Sequence, residues 1–176
     1  MIPLAPRAIR FWSILAATLL ADLSTKAWVV SHLGPEGTPH PLLGDVVRFT
    51  LTYNDGGALG IDTGPTGLNF LIVLSCALVL GLCVYYGCLP KDSTCQPMAL
   101  GFLIGGALGN LLDRVGPRPG VVDFIDIGAG SVRFWTFNLA DSAIFLGAVM
   151  LAFWFWQEPH PDPGPPSCTE GPQKAG

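Results

Sequence analysis

Four apolar stretches, Ala8 to Val30, Leu68 to Tyr86, Met98 to Leu112 and Leu139 to Trp156, limit what this chain can fold into more than any other feature. Each approaches the roughly 20 residues that an α-helix needs to cross a hydrocarbon layer. Half of the 176 residues are apolar and only 12% are charged, and the mean hydropathy is +0.49. Such values belong to membrane proteins rather than to ordinary soluble domains. Backbone polar groups inside lipid must be satisfied within their own helix, so the expected fold is an all-α membrane protein with four transmembrane helices. The third stretch covers only about 22 Å at 1.5 Å of rise per residue. Asn110, Asp113 and Arg114 should therefore lie near one membrane face.

Arg7 and Arg10 precede the apolar run from Phe11 to Ala21 within the first stretch, the charge pattern of a signal peptide. Its apolar character resumes through Ala27-Trp28-Val29-Val30 with no small-residue cleavage site after it, so it is expected to remain a helix. Arg7 and Arg10 favour a cytoplasmic N-terminus. Lys91 then falls on the same side and Arg48, Arg118 and Arg133 on the other, a count too even to decide orientation. Cys76, Cys83, Cys88, Cys95 and Cys168 form no Cys-x-x-Cys pair and read as apolar filler, with neither metal nor cofactor expected. A formal charge of −4 without a basic cluster argues against nucleic acid as a partner.

Between the first two spans, Arg48-Phe49-Thr50-Leu51-Thr52-Tyr53 alternates polar and apolar residues with period two, the signature of an amphipathic strand. Asn54-Asp55-Gly56-Gly57 follows, a sequence suited to a tight turn. A second alternating stretch, Val132 to Thr136, precedes the fourth span. Four spans place both stretches on one side, where they are expected to pair into a small sheet on the membrane surface. Gly56 and Gly57 are flexible points about which the loop after Ser31 is expected to close. Residues 1–157 form the transmembrane domain. The Pro-rich segment 158–176 reads as a disordered tail.

Polar residues within such spans need a reason, because a charge costs roughly 2.5–3.5 kcal/mol there on insertion scales. Asp22 and Lys26 are i and i+4 with the acid first, the favourable order for a helical ion pair. Gly101, Gly105 and Gly109, spaced by four, let a neighbouring helix approach. Asn110, Asp113 and Arg114 share one face of the third helix, where Asp113 and Arg114 can satisfy part of each other's charge. Asp123 and Asp141 are different, for neither has a cation at helical spacing and each sits where a loop meets the bilayer. Two close carboxylates in a low-dielectric site share one proton. Such a pair can activate water with one member and protonate with the other; a proton relay, an ion-pair role or a noncatalytic scaffold would use the same residues differently.

Asp22-Leu23-Ser24-Thr25-Lys26, Asn54 to Gly60, Gly105 to Arg114, Val121-Val122-Asp123-Phe124 and Phe137 to Ala143 together resemble, in order and spacing, the bacterial lipoprotein signal peptidase (signal peptidase II) family. The resemblance covers about residues 8–157. It implies a four-helix aspartyl endopeptidase of the bacterial inner membrane, with both termini cytoplasmic and a small sheet, or cradle, on the extracytoplasmic side. It implies substrates that are prolipoproteins diacylglyceryl-modified on a cysteine and cut N-terminal to that cysteine. Asp123 and Asp141 match the catalytic dyad. Asn54, Asn110, Arg114 and Asn138, with Asp22, Lys26 and Asp113, match substrate-binding or supporting positions. Leu59 departs from the aromatic residue the family often places there. Expected partners are the prolipoprotein and membrane lipids, with the protein a monomer.

Overall fold

A computed structural model of the chain describes residues 5–55, 64–117 and 120–157. It contains α1 (Pro6–His32), β1 (Pro39–Leu43), β2 (Val47–Asn54), α2 (Gly64–Cys88), α3 (Cys95–Arg114), β3 (Val121–Ala129), β4 (Val132–Arg133) and α4 (Leu139–Gln157). All four helices have the length and apolarity to cross a membrane. Each of the expected spans is thus found, with ends extended by a few residues. The second gains most, running from Gly64 to Cys88, and Cys95-Gln96-Pro97 adds a turn before Met98 on the third.

α3 is the central helix and packs against α1, α2 and α4. Its glycines make this possible. A methyl group added at Gly105 would come 2.9 Å from Thr18 Cβ of α1, and one at Gly101 would come 3.0 Å from Ile14 Cβ. The expected stripe therefore faces α1, while Gly106, outside that stripe, faces α4, where an added Cβ would lie 2.9 Å from Ile144 and collide with the Ala140 carbonyl. Leu100 and Ile104 fill the centre with Phe11 and Leu89. Arg7 donates to the Leu89 carbonyl and stacks over Tyr86, fixing the start of α1 to the end of α2. Phe70, Val73, Leu74, Leu80 and Phe145 point outward from α2 and α4, as expected of helices that meet lipid tails. Cys76, Cys83 and Cys88 belong to that outward surface as free thiols; α2 is the least enclosed helix and has little interior to offer.

The sheet is antiparallel, in the order β1-β2-β3-β4. The alternating stretch at Arg48–Tyr53 is β2. The two expected strands do not pair with each other, because β3 lies between them and carries Asp123 itself. β3 reads Val-Val-Asp-Phe-Ile-Asp-Ile-Gly-Ala, in which two acids break the apolar run that marks a covered strand. Their partners across the sheet make the strand stable, a tertiary effect. β4 is only Val132–Arg133, and Phe134 to Phe137 continues as an extended segment, bridged to Ile125 at Phe137. Val29 and Leu33 at the end of α1 pack on Leu51 and Phe124 of the sheet, seating the sheet on the bundle. The expected hinge at Gly56 and Gly57, the departure at Leu59, Arg118 and the Pro-rich tail lie outside the described residues.

Candidate active site

Asn138 is the centre of the polar assembly. It stands immediately before α4, and its Oδ1 accepts from the Asp141 N–H at 2.9 Å while the Asn138 N–H donates to Asp141 Oδ2 at 3.3 Å. This is a reciprocal capping box, which explains both the start of α4 and the presence of an acid three residues in. Asn138 Nδ2 also donates to Asp123 Oδ1 at 2.7 Å and to Asn110 Oδ1 at 3.0 Å. One side chain thereby joins the helix bearing Asp141 to the strand bearing Asp123. Its complete burial is affordable only because its amide is hydrogen-bonded on both sides.

Asp123 and Asp141 line one cleft of about 560 Å³ with Asn54, Asn110 and Arg114, and the opposite walls are apolar, including Leu78, Phe134, Trp135 and Phe145. Asn54 Nδ2 donates to Asp123 Oδ2 at 3.1 Å, and Asn110 Nδ2 donates to Asp141 Oδ1 at 2.7 Å. Asp123 is 2% exposed. Burial, and then the neighbouring Asp141, push its carboxyl up to about 7, against the opposing hydrogen bonds from Asn54 and Asn138. Asp141 sits in the first turn of α4, beside the N–H groups that open the helix. Arg114 donates to the Asn110 carbonyl at 3.3 Å, and among the described residues its Nε has no hydrogen-bond partner. That leaves a donor beside the cleft.

Beneath the cleft, Lys26 Nζ contacts Asp22 Oδ2 and Asp113 Oδ2, each at 2.8 Å, and donates to Asn110 Oδ1 at 3.0 Å. The expected Asp22–Lys26 pair is present, but Asp113 takes Lys26 rather than Arg114 as its cation. Helical neighbours four apart diverge less than adjacent ones, and Lys26 reaches across from α1 where Arg114 turns toward the cleft. Asp22 Oδ1 accepts the Ala140 N–H at 3.0 Å and Asp113 Oδ2 accepts the Val122 N–H at 3.2 Å. Asp22 and Asp113 thus hold α4 and β3, the two elements that carry Asp141 and Asp123. Lys26 and Asn138 both donate to Asn110 Oδ1, which turns the Asn110 amide nitrogen toward Asp141.

Every site residue expected from the sequence belongs to this assembly: Asp22, Lys26, Asn54, Asn110, Asp113, Arg114, Asp123, Asn138 and Asp141. The polar groups gather at the sheet end of the bundle rather than through its depth, which disfavours a relay across the membrane. What the sequence reading missed is the aromatic wall at Phe134 and Trp135. Its signal was available, since adjacent aromatics outside a span are typical of a membrane–water interface.

A family profile described as signal peptidase (SPase) II matches residues 14–157. The lipoprotein signal peptidase of Mycobacterium avium is 37% identical over 153 residues, covering 83% of this chain and 79% of the relative. That of Geobacillus thermodenitrificans is 34% identical over 145 residues, with 82% and 88% covered. A bacterial membrane enzyme solved by the in meso method at 1.9 Å superposes with a TM-score of 0.72 at 25% identity, covering 83% of this chain and 92% of that one.

Proposed function

We propose, since the chain belongs to the signal peptidase II family, that Asp123 and Asp141 are the catalytic pair of an aspartic endopeptidase. The protein is a multi-pass membrane protease that removes signal peptides from prolipoproteins. The observation that carries the aspartic reading is that both carboxylates line one cleft and share Asn138 as a hydrogen-bond partner.

The two carboxyls differ in environment. Asp141, in the first turn of α4 and hydrogen-bonded by the Asn110 amide, removes a proton from water as the oxygen attacks the scissile carbonyl. Asp123, buried and raised toward neutrality, holds the shared proton, hydrogen-bonds the carbonyl oxygen and then passes the proton to the departing amine. The Arg114 donor and Asn54 bind the peptide backbone. Lys26, Asp22 and Asp113 keep the supporting elements in place. The apolar walls of the cleft accommodate a substrate whose cysteine carries diacylglycerol, with cleavage on its N-terminal side. A lipid-anchored substrate cannot readily leave the bilayer, so the protease must act at the interface.

The chain is a monomer of the bacterial inner membrane, in contact with its lipids and without cofactor. Arg7 and Arg10 support cytoplasmic termini, with the sheet on the extracytoplasmic side. Residues 1–157 form the working domain, followed by the tail. The test is cleavage of a diacylglyceryl-modified prolipoprotein by purified protein in detergent. Asp123→Asn and Asp141→Asn, each shown to be folded, should lower the rate by about 10²–10⁴-fold, and chelator should leave wild type unchanged. Retention of wild-type rate by either variant removes that residue from the chemistry.

A further inference from the structure

Among the described residues, Asp126 is the most heavily bonded carboxylate outside the proposed dyad. It is nearly buried within β3, three residues from Asp123. Arg48 of β2 reaches its Oδ2 through Nε at 3.0 Å and a terminal nitrogen at 2.9 Å, and Thr50 donates to the same oxygen at 3.0 Å. Arg133 of β4 reaches Oδ1 through Nε at 2.8 Å and a terminal nitrogen at 2.7 Å. Both arginines also run on to Asp45 in the β1–β2 turn. Arg48 bonds the Asp45 carboxylate at 3.0 Å, Arg133 bonds the Asp45 carbonyl at 2.6 Å, and the carboxylate accepts the Gly130 N–H at 2.7 Å. Two acids and two bases thus close a neutral network over the end of the sheet.

The network's place in the chain gives it a consequence for the cleft. Arg133 is the last residue of β4, and Phe134 and Trp135 follow it directly as a wall of the cleft. Both aromatic rings are more than half exposed, and among the described residues their ring contacts are with each other and, for Phe134, with Phe137. Packing alone therefore holds this wall weakly. Its anchors are the Phe134 N–H to the Ile127 carbonyl at 2.7 Å, the Thr52–Thr136 hydroxyl pair at 2.9 Å, and Arg133.

We propose that Asp126 is a positioning residue for substrate capture, acting through Arg133 to fix the Phe134–Trp135 wall of the cleft. Its arginine partners are occupied by structure and do not bind substrate. The inference rests on reading this cleft as the substrate site. A charge-assisted hydrogen bond made by Asp126 maintains the shape of the empty cleft, so its loss reduces binding and leaves the reacting groups in place.

The experiment is steady-state cleavage of a diacylglyceryl-modified prolipoprotein by the full chain in detergent, for wild type, Asp126→Asn, Arg133→Lys and Trp135→Ala. Asp126→Asn and Arg133→Lys should each raise KM by about ten-fold or more with kcat unchanged, the equivalent of one charge-assisted hydrogen bond. The double variant should be no worse than the poorer single one. If Asp126→Asn does not fold, Arg133→Lys carries the test, because it retains the charge and loses the paired contacts to Oδ1. A rise in KM for Trp135→Ala with unmoved KM in the network variants overturns the inference alone. An unmoved KM in Trp135→Ala overturns the cleft reading beneath it. A fall in kcat at constant KM places Asp126 in the chemistry and equally refutes a positioning role.

Discussion

Asp123→Asn should lower the rate of cleavage by about 10²–10⁴-fold and yet stabilise the folded protein at alkaline pH. The Asp123 carboxyl is lifted from an ordinary 3.8 to about 7, so the folded state binds the proton more tightly than the unfolded chain. Stability therefore falls as pH rises between those values and is level on either side. At about 1.4 kcal/mol per unit, the interval corresponds to roughly 4 kcal/mol that folding surrenders by pH 8. An asparagine carries no such penalty. It does offer only one acceptor to the two amide donors of Asn54 and Asn138, which costs about 1–3 kcal/mol. The balance is a gain of about 1–3 kcal/mol at pH 8. At pH 4 the wild-type carboxyl is already neutral in the fold, the gain disappears, and the variant should be no more stable than wild type. Thermal unfolding in detergent, followed by tryptophan fluorescence at pH 4, 6 and 8, measures the difference directly. A stability difference that does not change with pH, or a variant less stable than wild type at pH 8, would refute the reasoning.

Lys26→Met leaves the Asp22 carboxylate buried without its cation, and should cost about 3–5 kcal/mol; adding Asp22→Asn should recover part of that loss, whereas strictly additive unfolding data would contradict a coupled pair. Gly106→Ala drives a methyl into the Ala140 carbonyl and against Ile144, so it should cost about 1–3 kcal/mol and slow cleavage by moving the first turn of α4. Gly81→Ala on α2, where an added Cβ meets nothing within 4 Å, is the matched control and should behave as wild type in both assays. Cleavage by wild type should decline as pH rises through about 7, where Asp123 loses its proton; a rate still climbing well above that pH would show that Asp123 is not the acid.

The membrane class and the four helices were legible in the sequence for a definite physical reason, and the acids proposed for the site stood out beside them. Lipid satisfies no backbone or side-chain polar group, so each helix must announce itself as an apolar run of fixed length, and each acid within or beside it stands out as a cost needing compensation. Asp22 with Lys26 and Asn110 with Arg114 could be placed on helix faces because their spacing is local. The sheet was legible only where one strand has a wet and a dry face, as β2 does. β3 escaped because Asp123 and Asp126 are stabilised by Asn54, Asn138, Arg48 and Arg133, residues from 7 to 78 positions away, and no local pattern contains such partners.

Partnership was what tertiary structure alone decided. It gave Asp113 to Lys26 rather than to Arg114, made Asn138 at once the cap of α4 and the link between Asp123 and Asp141, and set Arg133 to hold a cleft wall. Each choice depends on which donors meet when separate elements pack, and distance in space is a property that spacing along the chain does not encode.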